Sequence, residues 1–371
     1  MFSEQALRGL PVAPARHLPP PADPRPWWRR AGGAYFHPWG NAVISLICLG
    51  LIGWLLWVLV NWLLLGAVWR GGPEECKAPG TGFCWPFVAQ KLRFMIFGFY
   101  PAEMQWRPAL AIGCWLAGCG LAMTPRCWSV KLLPVLAVLA VGFFYVMAGG
   151  PGLEPVPTHQ WGGLPLTVML ATVGMVCAYP LGIVLALGRR SALPVIRTLS
   201  VLYIEIIRGV PLISFLFMAS VMFPLFLPEG VNIDKVLRAQ VAIILFAGAY
   251  FAEVVRGGLQ GIPRGQYEAA QALGLGYWKT MGLIVLPQAL RIAIPPTANI
   301  VIGFFMDTTL VTIIGLFDFL NTVRAALRDP DWQGIAVAEG YLFAAGVYFL
   351  FCISMAAYSL FLERRLRVVQ H

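Results

Sequence analysis

The chain has 371 residues, of which 59% are hydrophobic and only 12% charged, with a net charge of +10 and a mean hydropathy of +0.73. A soluble protein of this length carries about twice that share of charge to cover its surface, so a soluble class is excluded and a membrane class indicated. The positive charge sits beside apolar stretches and not on a polar domain, which argues against a nucleic-acid-binding surface and fits the charging of cytoplasmic loops.

In chain order, residues 1–40 hold eight prolines and five arginines, which predicts a disordered arm and no packed helix. No apolar core follows a short basic start, so this arm is not a cleavable signal peptide. A membrane-spanning helix needs about 20 mostly apolar residues. Candidate spans cover 41–69, 108–124, 132–148, 163–187, 198–227, 238–255, 292–317 and 334–362. The fifth carries Glu205 and Arg208, and the seventh carries Asp307. The expected fold is therefore all-α and polytopic, with about eight transmembrane helices.

Eight spans put both termini on one side. With that side inside, seventeen Lys and Arg fall in inner segments and nine in outer ones, which assigns both termini to the cytoplasm. The long loop 70–107 is then periplasmic. Its Trp85, Phe87, Phe94, Phe97, Phe99 and Tyr100 are expected to lie on the headgroup layer. Six of the eight cysteines lie in or beside apolar segments, where cysteine acts as a small hydrophobe. Cys76 and Cys84 lie in the polar loop, either as free thiols or as a pair. A periplasmic loop favours the pair. No cysteine–histidine cluster has metal-ligand spacing, so no metal and no cofactor are expected.

The chain divides at residues 150–157, which are rich in proline and glycine. Residues 41–160 form an N-terminal extension with three spans. Residues 161–371 hold five spans and every motif of functional interest, among them a polar connection at 257–290. Its core reads Glu268-Ala269-Ala270, three residues, Gly274, nine residues, Ile284, one residue, Leu286-Pro287. Pro263 and Gly265 break the preceding helix, and Ala269, Ala270 and Ala272 then favour a short one. Glu268, expected in its first turn, suits the positive end of the helix dipole. Gly274 ends it as a left-handed cap. The expected product is a cytoplasmic surface helix with a nearly bare alanine face, which another protein's backbone can approach closely.

This pattern resembles the EAA loop of ABC importer permeases. The resemblance implies a coupling helix, with Glu268, Ala269, Ala270 and Gly274 docking in a cleft of a cytoplasmic ATP-binding subunit. The segment from Glu205 to Leu212, with Arg208-Gly209-Val210-Pro211, resembles the RGTP signature of permeases for polar amino acids. The segment from Tyr250 to Gly258 looks like the approach to the loop in that group. Asp307-Thr308-Thr309-Leu310 looks like its K-D-T-S-L segment, with Met306 in place of the lysine. The three extra N-terminal spans and Gly98-Phe99-Tyr100-Pro101 resemble the longer permeases of the general L-amino-acid and glutamate/glutamine/aspartate/asparagine systems. The resemblance further implies a type I importer core at 161–371, a dimer of ATP-binding subunits, a second permease subunit, a periplasmic amino-acid-binding protein and transport by alternating access in the bacterial inner membrane.

The chain itself has no nucleotide site: Trp278 stands where a glycine must precede Lys279 in a phosphate-binding loop. It is not expected to be an enzyme, and its four histidines (His17, His37, His159 and His371) read as surface residues. Charges inside a span cost about 2.5–3.5 kcal/mol on insertion scales and face a partner or a cavity. Glu205 and Arg208, and likewise Glu253 and Arg256, are three apart and can pair on one helix face. The alternative role for Arg208, Glu253, Asp307 and Thr308 is to line the path of a zwitterionic solute. A secondary transporter or channel is the rival reading, and it leaves the EAA pattern unexplained.

Overall fold

The computed structural model describes residues 35–127, 129 and 131–366. The arm expected at 1–40 therefore lies, up to residue 34, outside the described residues, as do His17 and His371. The chain forms two units that divide between Leu65 and Gly66. The first holds helix α1 (Trp39–Val60), prolonged by a wider turn over Asn61–Leu65. At about 1.5 Å per residue, its 27 residues reach about 40 Å, enough to cross a bilayer. It is apolar on every side and carries no charge, as a lipid-embedded helix must be.

The second unit is almost wholly helical. Its elements are α2 (Trp85–Phe97), α3 (Trp106–Met123), α4 (Leu132–Ala148), α5 (Gly163–Arg189), α6 (Pro194–Gly209) and α7 (Leu212–Phe217). After α7 come α8 (Lys235–Gln260), α9 (Arg264–Ala272), α10 (Leu286–Ile292), α11 (Ile294–Asp307), α12 (Phe319–Ala326) and α13 (Val337–Leu366). Among the described residues five helical segments are long and apolar enough to cross a membrane: Trp39–Leu65, Gly163–Arg189, Lys235–Gln260, Ile294–Ile314 and Val337–Arg365. The shorter α3 and α4 occupy the second and third expected spans.

The fifth expected span is corrected. It is two helices, α6 and Leu212–Phe226, bent by 104°. The cause is local: Pro211 has no N–H to donate and drives Val210 into an extended conformation (ψ 138°).

The core is built on α5 and α8. They approach closely because Gly182 has no side chain; a Cβ there would lie 2.5 Å from Phe251 Cβ. Leu170, Ala178, Ala247, Phe251, Leu216 and Val311 are fully buried around this contact. A second cluster, at the end where α5 and α8 finish, joins Ala186, Ile204, Ala252, Val255, Leu259, Ile262, Met281, Val285 and Ala289. Helix α9 rests on that second cluster.

The loop after Gly66 is knit to the body. Cys76 and Cys84 form a disulfide. The Cys84 N–H donates to buried Glu339 at 3.2 Å, Lys91 pairs with Asp329 at 2.6 Å, and Thr322 donates to the Met95 carbonyl at 2.7 Å. Phe87 is fully buried, edge-on to Trp332, and the buried Tyr100 donates its hydroxyl to the Met147 carbonyl. These two rings are therefore not on the headgroup layer, contrary to the sequence expectation. They are taken up by carbonyls and aromatics of the body, which a composition argument cannot see. Arg107, also buried, donates to the carbonyls of Val146 and Glu154 at 2.7 and 2.8 Å. It thereby neutralises the negative end of α4.

Asp318, in the connection from α11 to α12, is fully buried. Its carboxylate caps α12 by accepting from the Leu320 and Asn321 N–H groups, and Tyr348 donates to it at 3.5 Å. Burial pushes its pKa up from 3.8 to about 6, against the pull of those two N–H groups. The folded protein thus holds this proton more tightly than the unfolded chain. The stability it contributes is fully present below about pH 4 and is lost as pH rises through about 6, by on the order of 3 kcal/mol. The Tm of the detergent-purified chain, compared with that of the non-titrating Asp318→Asn variant, is expected to fall between pH 4 and 6. A difference that does not change with pH would contradict this.

Candidate coupling helix and charge cluster

α8 ends at Gln260, and α9 begins at Arg264, directly after Pro263, which caps it in an extended conformation (φ −59°, ψ 142°). Gly265 accordingly lies inside α9 and breaks nothing. Glu268 is the fifth residue of the helix, past the first turn, so the expected dipole contribution falls away. The cap is as expected. Gly274 has φ +73°, the Leu275 N–H donates to the Ala270 carbonyl at 3.0 Å, and the Gly274 N–H donates to the Gln271 carbonyl at 2.9 Å. This pair of hydrogen bonds is the Schellman closure that favours glycine.

The alanines divide between two faces. Ala270 is fully buried, whereas Glu268, Ala269 and Ala272 are exposed. Gly265, Ala269 and Ala272 thus share an exposed surface of small residues, with the Glu268 carboxylate beside it. The inner face fastens the helix to the body. Tyr267 packs on the second cluster. Arg190, just past the end of α5, lies over the Tyr267 ring at 5.9 Å and donates to its hydroxyl at 3.4 Å and to the Leu259 carbonyl at 3.3 Å. Gln288 of α10 donates to Gln266 at 3.0 Å. A partner pressing on the outer face of α9 therefore pushes on α5, α8 and α10.

Five charges meet at the same end of α5, α6 and α8. Arg189 lies 2.9 Å from Glu205 and 3.5 Å from Glu253; Arg208 lies 3.5 Å from Glu253; Arg256 donates to Glu253 through Nε at 2.9 Å and through Nη2. The expected Glu253–Arg256 pair is present. Glu205 pairs with Arg189 across helices and not with Arg208, because the carboxylate turns to the neighbouring helix end. Three arginines face two glutamates, so the cluster keeps one excess positive charge. Arg208, about one third exposed, also lies over the Tyr250 ring at 5.6 Å. Tyr250 continues into Phe246 and Phe304. Asp307, at the end of α11, is half-buried, and among the described residues its carboxylate makes no hydrogen bond or ion pair. Thr308 is buried and donates to the Phe305 carbonyl at 2.7 Å, so its hydroxyl is committed to the helix end.

Residues 178–368 match the family model for the inner membrane component of binding-protein-dependent transport systems. The chain belongs to that family. It is 48% identical over 344 residues to the inner membrane amino-acid ABC transporter permease protein YhdY of Escherichia coli (strain K12), covering 89% of this chain and 90% of that one. It is 36% identical over 399 residues to the glutamate/glutamine/aspartate/asparagine transport system permease protein BztC of Rhodobacter capsulatus, covering 88% and 91%. The glutamate/aspartate import permease protein GltK of Escherichia coli O6:H1 is 33% identical over 208 residues, 55% of this chain and 91% of its own length. The chain is thus a multi-pass inner-membrane permease subunit of an ABC importer and not an enzyme; a separate subunit hydrolyses ATP.

Three residues of this permease escape a reading of the sequence. Arg189 and Arg190 count there only among the seventeen basic residues of the inner segments, and Tyr267 carries no motif. The signal is present in part: two arginines close a 27-residue apolar helix that needs one anchor. What they grip comes from helices remote in sequence.

Proposed function

We propose that this permease supplies half of a path for polar L-amino acids, moved from periplasm to cytoplasm by alternating access, and one docking helix for an ATP-binding subunit. The observation that carries the reading is α9, a capped surface helix with a small-residue outer face and an inner face fastened to the ends of α5 and α8 and to the short helix α10. Its partners are a dimer of ATP-binding subunits at the Glu268–Ala269 face, a second homologous permease, and a periplasmic amino-acid-binding protein. The amino-acid class is supported by the names of the similar permeases, which include amino-acid, glutamate and aspartate systems. Residues 161–371 form the importer core, and 41–160 form its N-terminal extension.

Both termini lie in the cytoplasm. The inner excess of basic residues supports this, as does the Cys76–Cys84 disulfide, whose chemistry belongs to an oxidising compartment. Along the path, Asp307 has a carboxylate free for the solute ammonium, and Arg208 has a partly open guanidinium for its carboxylate. Glu253 is committed to arginines and orients Arg208, while Thr308 shapes the end of α11. The test is uptake into right-side-out vesicles that hold the whole importer, are loaded with ATP and are supplied with the binding protein. Uptake of labelled L-glutamate and L-glutamine is expected to require internal ATP and to survive a protonophore. Uptake without ATP that collapses with the protonophore would overturn the proposal.

A further inference from the structure

We infer that Arg189 and Arg190, the two residues that close α5, are positioning residues that carry movement of α9 into the five-charge cluster. The inference rests on reading α9 as the docking helix, and it assigns what lies between docking and the path. Consecutive residues at a helix end point about 100° apart, so the two arginines leave α5 in different directions. Arg190 reaches α9 and the last turn of α8, through the Tyr267 ring, the Tyr267 hydroxyl and the Leu259 carbonyl. Arg189 reaches α6 and α8, where a single Nη1 serves Glu205 at 2.9 Å and Glu253 at 3.5 Å.

The backbone between the two grips has little slack. The Arg190 N–H still donates to the Leu187 carbonyl at 3.1 Å, and a Cβ on Gly188 would collide with Ser200 Oγ, so α6 presses directly on this turn. A displacement of α9 that drags Arg190 must therefore move Arg189 against Glu205 and Glu253. Glu253 in turn faces Arg208, the proposed partner of the solute carboxylate, which lies over Tyr250. The chemistry requires arginine at 190. A flat guanidinium can lie over a ring while donating to two acceptors, and a lysine ammonium cannot do both.

The test uses the complete importer in liposomes, with a mixture of labelled L-glutamate, L-glutamine, L-aspartate and L-asparagine as probe. It reads two quantities: the amount of ATP-binding subunit retained, and the solute carried per ATP hydrolysed. Arg190→Ala is expected to retain the subunit and to lower solute per ATP at least about tenfold, with Arg190→Lys recovering only part. Arg189→Gln should give a similar loss, and the double variant little more, as for two links of one chain. A purely structural role would lower the amount of assembled importer and leave solute per ATP unchanged, which overturns the inference. So does an unchanged ratio in a fully assembled variant. Where Arg190→Ala does not accumulate, Tyr267→Leu removes the same grip from the other side and is read in the same way. Glu268→Lys separates the two levels: if it leaves docking and transport intact, the reading of α9 fails whatever the arginines do.

Discussion

Uptake by a Glu268→Lys permease is expected to be abolished, and the ATP-binding subunit to be lost on purification. Glu268 is exposed on the outer face of α9, in its second turn, and no residue of the chain depends on it for a hydrogen bond or ion pair among those described. The substitution therefore leaves insertion and folding intact. Reversing a charge at a desolvated docking surface costs about 2–5 kcal/mol, which weakens association more than about 30-fold. Ala269→Trp is expected to reach the same end by bulk alone, since Ala269 is exposed where a partner's backbone would approach. Membrane yield and retained subunit, measured side by side, check both variants. Full retention with full transport would move the interface elsewhere.

Asp307→Asn is the second substitution with a large expected effect. The carboxylate is half-buried at the end of α11 and makes no ion pair among the described residues. A charge left without a partner inside a span is costly, and an arriving ammonium group is its natural partner. Removing one member of such a pair costs at least about 1.4–3 kcal/mol, so uptake should fall more than about tenfold while the ATP-binding subunit stays bound. Asparagine keeps the shape and the local backbone. Unchanged uptake and unchanged solute-stimulated ATP hydrolysis would remove Asp307 from the path.

These two residues differ in how well the sequence exposes them. α9 is legible because its determinants are local: a proline just before the helix, alanines that extend it and a glycine that ends it in the left-handed region. The error there is equally local, since a helix that begins at Arg264 moves Glu268 out of the first turn. The positions of the apolar segments are legible from length and hydropathy, but the 104° bend at Pro211 disappears into a span when length alone is weighed. The charge cluster is not legible. The three-residue rule sees partners on one helix, and it finds Glu253–Arg256. Arg189 with Glu205, and Arg208 with Glu253, join helices whose relative placement no spacing encodes. The same holds for Phe87 and Tyr100, which composition places at a surface and packing places inside.

α9 divides into two faces. Ala270 is buried and Ala269 is exposed, one residue apart. The inner face packs on the permease body, and the outer one is the face proposed to meet the ATP-binding subunit. A photo-cross-linking residue placed at position 269 in the assembled importer tests this most directly, with position 230, in the connection before α8, as the control. A cross-link from 269 to the ATP-binding subunit is expected, and none from 230. No cross-link from 269 in an importer that still transports, or equal yields from both positions, would contradict it.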